Sequence, residues 1–170
     1  ILFQSNNPHG VEASDLVSTT LTNCTFLNNT ILAVDLHFSG GVFPTNDGNS
    51  GTGNGANAIR LRGSFGGAVS LAANTDFPYY ISGLTVDADG SLTLQPGTVV
   101  KFPGHTGLTV DGFLLAQGAV GEEVVFTSYK DDAYGGDSNG DGDGSTPSRG
   151  DWTEIHLRGG SSARFDHAVV

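Results

Sequence analysis

Seven of the chain's 18 acidic residues fall within 24 consecutive positions: Asp131, Asp132, Asp137, Asp141, Asp143, Asp151 and Glu154. Inside that stretch, Asp137-Ser138-Asn139-Gly140-Asp141-Gly142-Asp143 puts an oxygen-bearing ligand at every second residue, with Gly142 where a calcium loop turns sharply. Hard oxygen ligands with no His or Cys beside them favour Ca²⁺ over a transition metal. The first half of an EF-hand-type loop is therefore filled. Its closing position holds Ser148 rather than Glu, and no helical pattern flanks it. We expect a free-standing calcium loop built on Asp137, Asn139, Asp141 and Asp143, with Asp131, Asp132 or Asp151 closing the shell. The competing reading is a solvated acidic turn. In that case carboxylates this close repel, each pair by ~1 kcal/mol or more depending on the local dielectric.

Other patterns carry less. Gly51-Thr52-Gly53-Asn54-Gly55-Ala56 fits the dinucleotide spacing, but strand-like Ala58-Ile59-Arg60-Leu61 follows it where a phosphate site needs a helix N-terminus. The five His residues show no ligand spacing, and there is no GxSxG elbow. A polysaccharide lyase would need Ca²⁺ and a Lys or Arg base on one groove; Arg60, Arg62, Lys101 and Lys130 are the candidates. Against it, only seven basic residues face 18 acids. The same balance, a net charge of -11 and a pI near 4.4, argues against nucleic acid and anionic membranes as partners. Catalytic residues are expected to be absent. Cys24 is the lone cysteine and reads as a small buried residue. Asn23-Cys24-Thr25 and Asn28-Asn29-Thr30 match glycosylation acceptors, but they equally suit turn asparagines in left-handed backbone that bond the next coil. Trp152 reads as a ring capping the core rather than a sugar platform.

The elements that must position these residues are short strands. No window keeps a helical apolar period, whereas apolar–polar–apolar triplets closed by turn residues recur: Leu84 to Val86, Leu92 to Leu94, Val100 to Phe102 and Leu108 to Val110. They also repeat as a set. Gly83-Leu84-Thr85-Val86-Asp87 returns as Gly107-Leu108-Thr109-Val110-Asp111, Leu92-x-x-Gln95 as Leu114-x-x-Gln117, and Val100-x-Phe102 as Val124-x-Phe126. Three strands and three turns in about 24 residues describe one coil of a parallel β-solenoid. At that period the chain holds roughly seven coils. Two excursions are expected, near 44–57, where Asn, Gly, Ser and Asp dominate, and at 130–151. Gly is 26 of 170 residues and charged residues only 15%, a composition of many strands and turns.

The phrase Leu92-Thr93-Leu94-Gln95-Pro96-Gly97-Thr98-Val99-Val100-Lys101-Phe102 resembles the coil openings of bacterial secreted right-handed parallel β-helix repeat proteins, the pectate-lyase-like solenoid architecture. So do Leu108 to Gly112, Leu115 to Gly118, Val124 to Ser128 and Gly150-Asp151-Trp152. The resemblance implies a right-handed, single-stranded parallel β-helix in an extracellular or cell-surface setting, with no matching catalytic residues. The whole chain, 1–170, is expected to be one module of a longer or repeated array. Ile1-Leu2-Phe3 and Ala168-Val169-Val170 read as strand interiors, so like modules are expected to stack head to tail. We therefore expect a calcium-stabilised structural or adhesive fibre element. A carbohydrate-active β-helix that binds or cleaves an extracellular polysaccharide is the alternative.

Overall fold

The computed structural model describes residues 1–15, 20–40 and 45–170. The chain is all-β, 53% strand, and winds into a parallel β-solenoid of about five turns. The early strands are β1 (Leu2–Gln4), β2 (His9–Ser14), β3 (Thr20–Thr22), β4 (Thr25–Leu27), β5 (Leu32–Ser39), β6 (Thr45–Asp47) and β7 (Ser50–Thr52). Two long strands follow, β8 (Ile59–Leu71) and β9 (Tyr79–Leu94), then β10 (Val99–Phe102), β11 (Leu108–Val110), β12 (Phe113–Gln117) and β13 (Val124–Ser128). After a long loop come β14 (Ile155–Leu157), β15 (Ser162–Asp166) and β16 (Ala168–Val169).

Every ladder between named strands is parallel, and the largest sheet runs β16-β13-β10-β9-β8-β5-β2. Because side chains alternate across a strand, each coil sends a residue inward onto its counterpart one coil away. Val34, Ile59, Tyr79, Val100 and Phe126 form one such inward column. Val69, Leu92, Leu114 and Ala163 form another. Almost all of these are buried, at roughly 1.5–3 kcal/mol for each large aliphatic side chain removed from water. The long strands turn corners of the coil at bulges. At one of them Gly63 has φ +91°, and a Cβ there would collide with the Phe38 carbonyl of the coil below, so no other residue fits.

The expected repeats hold at Leu84↔Leu108 and Leu92↔Leu114. The third is shifted by two residues: Val100 pairs with Phe126, not Val124. The turn where Ala119 bridges Glu122 takes up the extra chain. The expected excursion near 44–57 is corrected as well. From Thr45 onward β6 and β7 complete a coil, pairing with β3 and β4. Asparagines replace the apolar lining there. Asn54 Oδ1 accepts from the Asn29 amide at 3.0 Å while its Nδ2 donates to the Phe26 carbonyl at 2.9 Å. Asn49 does the same between the Cys24 amide and the Leu21 carbonyl, at 3.0 and 2.7 Å. Such ladders satisfy buried backbone groups that a turn would otherwise strand. The count of seven coils falls to about five, because the loop after β13 absorbs nearly a coil's length and the outermost coils are incomplete.

Candidate cation-binding loop and the face it covers

The chain leaves the ladder after Ser128 and rejoins it at Ile155, which pairs with Leu108, 47 residues earlier, against 24 between Leu84 and Leu108. The extra length is the acidic loop. Asp132, Asp137 and Asp141 each bring a carboxylate oxygen within 4.8 Å of the others. Asp137 organises the turn: its carboxylate accepts from the amides of Gly140, Asp141 and Gly142 at 2.8, 3.2 and 2.9 Å. Asp141 accepts from Asn139 Nδ2 at 3.0 Å and from the Ser145 hydroxyl. Two oxygens in this group, Asp132 Oδ1 and Asn139 Oδ1, are shielded from water and have no hydrogen-bond partner among the described residues. Burial, then the charge of Asp137, raises the Asp132 carboxyl above its ordinary value. A divalent cation would reverse both effects, since it supplies charge and coordination together.

The other expected ligands are placed differently. Asp143 sits in the short 3-10 turn Gly142–Gly144 and lies outside the tight trio. Asp131 is spent on the Thr127 hydroxyl at 2.6 Å and the Ala133 amide at 3.1 Å. Asp151 accepts from Lys130 Nζ, the Ser128 hydroxyl and the Ser148 amide, all at 2.8 Å. Lys130, Ser148 and Ser128 together hold its carboxyl down at about 2. These two acids fasten the loop's base. The structure brings together Asp132, Asp137 and Asp141 with Asn139 beside them.

A second acidic centre lies outside the residues expected from sequence. Asp35 on β5 points outward yet is only 1% exposed, because Arg60 and Arg62 of the next coil each grip both its oxygens. Burial pulls the Asp35 carboxyl up, but the two guanidiniums more than reverse that and leave it below its usual value. His9 and Glu12 lie close enough to complete a ligand trio with Asp35. Both Asp35 oxygens are taken by guanidiniums, so Asp35 itself is saturated, while His9 Nδ1 is shielded and has no hydrogen-bond partner among the described residues.

The remaining candidates resolve simply. Trp152 stacks on Phe102 with ring centroids 4.4 Å apart and packs on the core. Cys24 is buried and free. Asn23 and Asn28 take φ of 51° and 54° and bond the Asp47 and Thr52 carbonyls of the next coil. The GxGxxA run leads from β7 into β8 with no helix. Arg60 lines a groove of about 310 Å³ together with Ile31, Tyr80, Pro103, Tyr129 and Asn139. Lys101 lies beneath the acidic loop, fully buried. No helix among the described residues is long and apolar enough to cross a membrane.

The chain matches no protein-family model, and neither curated proteins nor solved structures give a match.

Proposed function

We propose that this chain is an extracellular structural or adhesive β-solenoid module, stiffened by Ca²⁺ on its acidic loop and stacked end to end with like coils into an extended fibre. The observation that carries the reading is the gathering of Asp132, Asp137 and Asp141 with Asn139 beside them, where two shielded oxygens have no hydrogen-bond partner among the described residues. The stated resemblance to bacterial secreted β-helix proteins supports the extracellular setting.

Stacking is supported by the outermost coils. Leu157 and Phe165 on the last coil stand in register with the core residues Val110 and Ala116, yet are 46% and 45% exposed. Their strand edges carry the donors and acceptors of a parallel ladder. A like coil, further along the same polypeptide or on another copy, would continue both core and ladder. A contact of this kind does not close on itself and so propagates.

Calorimetry at millimolar Ca²⁺ and melting with and without chelator test the cation. Heat of binding and a raised melting temperature are expected; their joint absence would remove the calcium reading. Light scattering of the purified chain tests stacking, with growth beyond a monomer expected as concentration rises.

The groove at Arg60, Tyr80 and Tyr129 favours a second reading, a surface that binds or cleaves an extracellular polysaccharide. Screening pectin, alginate and neutral glycans for binding and for new reducing or unsaturated ends tests it. Turnover lost in Arg60→Ala would favour it over the structural reading.

A further inference from the structure

The acidic loop also lies across the outer face of the largest sheet. On that face Asp35, Arg60, Tyr80, Lys101 and Thr127 stand in register on successive coils. After β13 the loop runs back over this row. Lys101 Nζ donates to the Gly136 carbonyl at 2.8 Å and to Ser138 Oγ at 2.7 Å. The Tyr80 hydroxyl donates to the same Ser138 Oγ at 3.0 Å, and the Asn57 amide donates to the Ser138 carbonyl at 2.8 Å. One loop residue thus ties down three coils. It does so where the ladder is thin, since β9 and β10 pair only through Tyr79–Val100 and Tyr80–Lys101.

What the loop lacks is an apolar anchor. From Asp132 to Gly150 only Ser138 is buried, and Tyr134 is 42% exposed. Its docking rests on polar contacts, while the coils beneath rest on a continuous apolar core. Segments with few buried apolar contacts open locally, below the free energy of global unfolding. The latch is itself unsaturated: an ammonium has three protons to donate, and the loop accepts two of them.

We propose that residues 132–150 form a strap that opens and closes as one unit over the intact solenoid, with Lys101 as its latch and Ser138 as its catch. Opening bares Lys101 and Tyr80 beside Arg60, a strip with one hydrogen-bond-donating side chain per coil, and extends the groove that Asn139 now walls on one side. The strap does not depend on the loop holding a cation.

The chain contains two lysines, Lys101 and Lys130, which makes amine acylation followed by mass spectrometry a direct readout. Lys130 is partly exposed and reports the reagent. Lys101 reacts only when the strap is off. The expected result is a Lys101 labelling rate almost flat through sub-denaturing urea, because local opening exposes little surface. Ser138→Ala is expected to speed it about tenfold or more, with the global unfolding midpoint nearly unchanged. A Lys101 rate that climbs with urea as steeply as global unfolding would overturn the proposal. So would a Ser138→Ala variant that labels faster only in step with its loss of global stability.

Discussion

The two acidic centres on this solenoid use the same side chains to opposite ends. At Asp35 one carboxylate meets two guanidiniums, every oxygen is engaged, and the group is buried. At Asp132, Asp137 and Asp141 three carboxylates gather, and the nearest buried cation, Lys101, spends its bonds on Gly136 and Ser138 instead. Charge stoichiometry separates a matched ion pair from a cluster of like charges. A buried charge is tolerated when its partners are built in, whereas clustered acids repel one another.

The largest effect should come from removing the saturated partner. Asp35→Ala leaves two guanidiniums side by side with only Glu12 acting on Arg62, at a cost of about 3 kcal/mol. Asp137→Ala should lower stability by roughly 1 kcal/mol or less without metal, since its carboxylate is exposed and orders only loop amides. Urea unfolding of both variants in chelator measures the contrast. Equal losses would collapse the distinction between the centres.

Calcium should sharpen the contrast. At a hundredfold excess over the dissociation constant, a cation bound only to the folded loop adds about 2.7 kcal/mol. Asp137→Ala should lose that gain, while Asp35→Ala should keep it whole. Thermal melts of the three proteins with Ca²⁺ and with chelator decide it; a calcium gain that survives in Asp137→Ala would move the site elsewhere.

How far the sequence showed these centres follows from what each requires. The acidic loop was legible because its oxygens alternate along one local stretch, Asp137 to Asp143. Its membership was less so. Asp131 and Asp151 are close in sequence but are consumed by Thr127 and Lys130, contacts that only the folded base creates. Asp35 was illegible as a lone acid on an alternating strand. The available signal was Arg60-x-Arg62, whose first residue lies one coil further on, in register with Asp35. The fold was legible where coils repeat in kind, as at Leu84 and Leu108. It failed over 45–57, where Asn49 and Asn54 line the inside by bonding neighbouring backbone instead of being apolar.

Alkaline pH should probe Lys101, the cation between the two centres. Burial pushes its ammonium down to about 8, against the pull of Asp132 and Asp131. Between about pH 8 and the ordinary lysine value of 10.5, the unfolded chain holds a proton that the folded chain lacks, so stability should rise with pH. Tyr79 and Tyr80 act oppositely. Burial holds their phenols up, so above their ordinary value of 10 the unfolded chain loses protons first and stability falls. The expected profile has a shallow maximum between those limbs. Lys101→Met should erase the rise and leave the fall, and a rise that persists in the variant would assign it to another group.

The smallest effect is the most discriminating in sign. Asp132 has one oxygen shielded and unpartnered, and its carboxyl is raised by burial and by the charge of Asp137. Asp132→Asn keeps the shape and removes a charge. Without metal it relieves repulsion from Asp137 and Asp141, an effect of roughly 0.5–1 kcal/mol in a solvated setting. The variant should therefore be slightly more stable than the parent in chelator and less stable in calcium, a crossing of the two curves. Asp35→Asn, with the same change of atoms, should be less stable under both conditions because Arg60 and Arg62 lose their only shared counter-charge. Urea unfolding at fixed ionic strength resolves differences of this size. If Asp132→Asn were destabilising in chelator as well, its carboxylate would be a settled structural partner like that of Asp35, and the calcium proposal for the loop would lose its support.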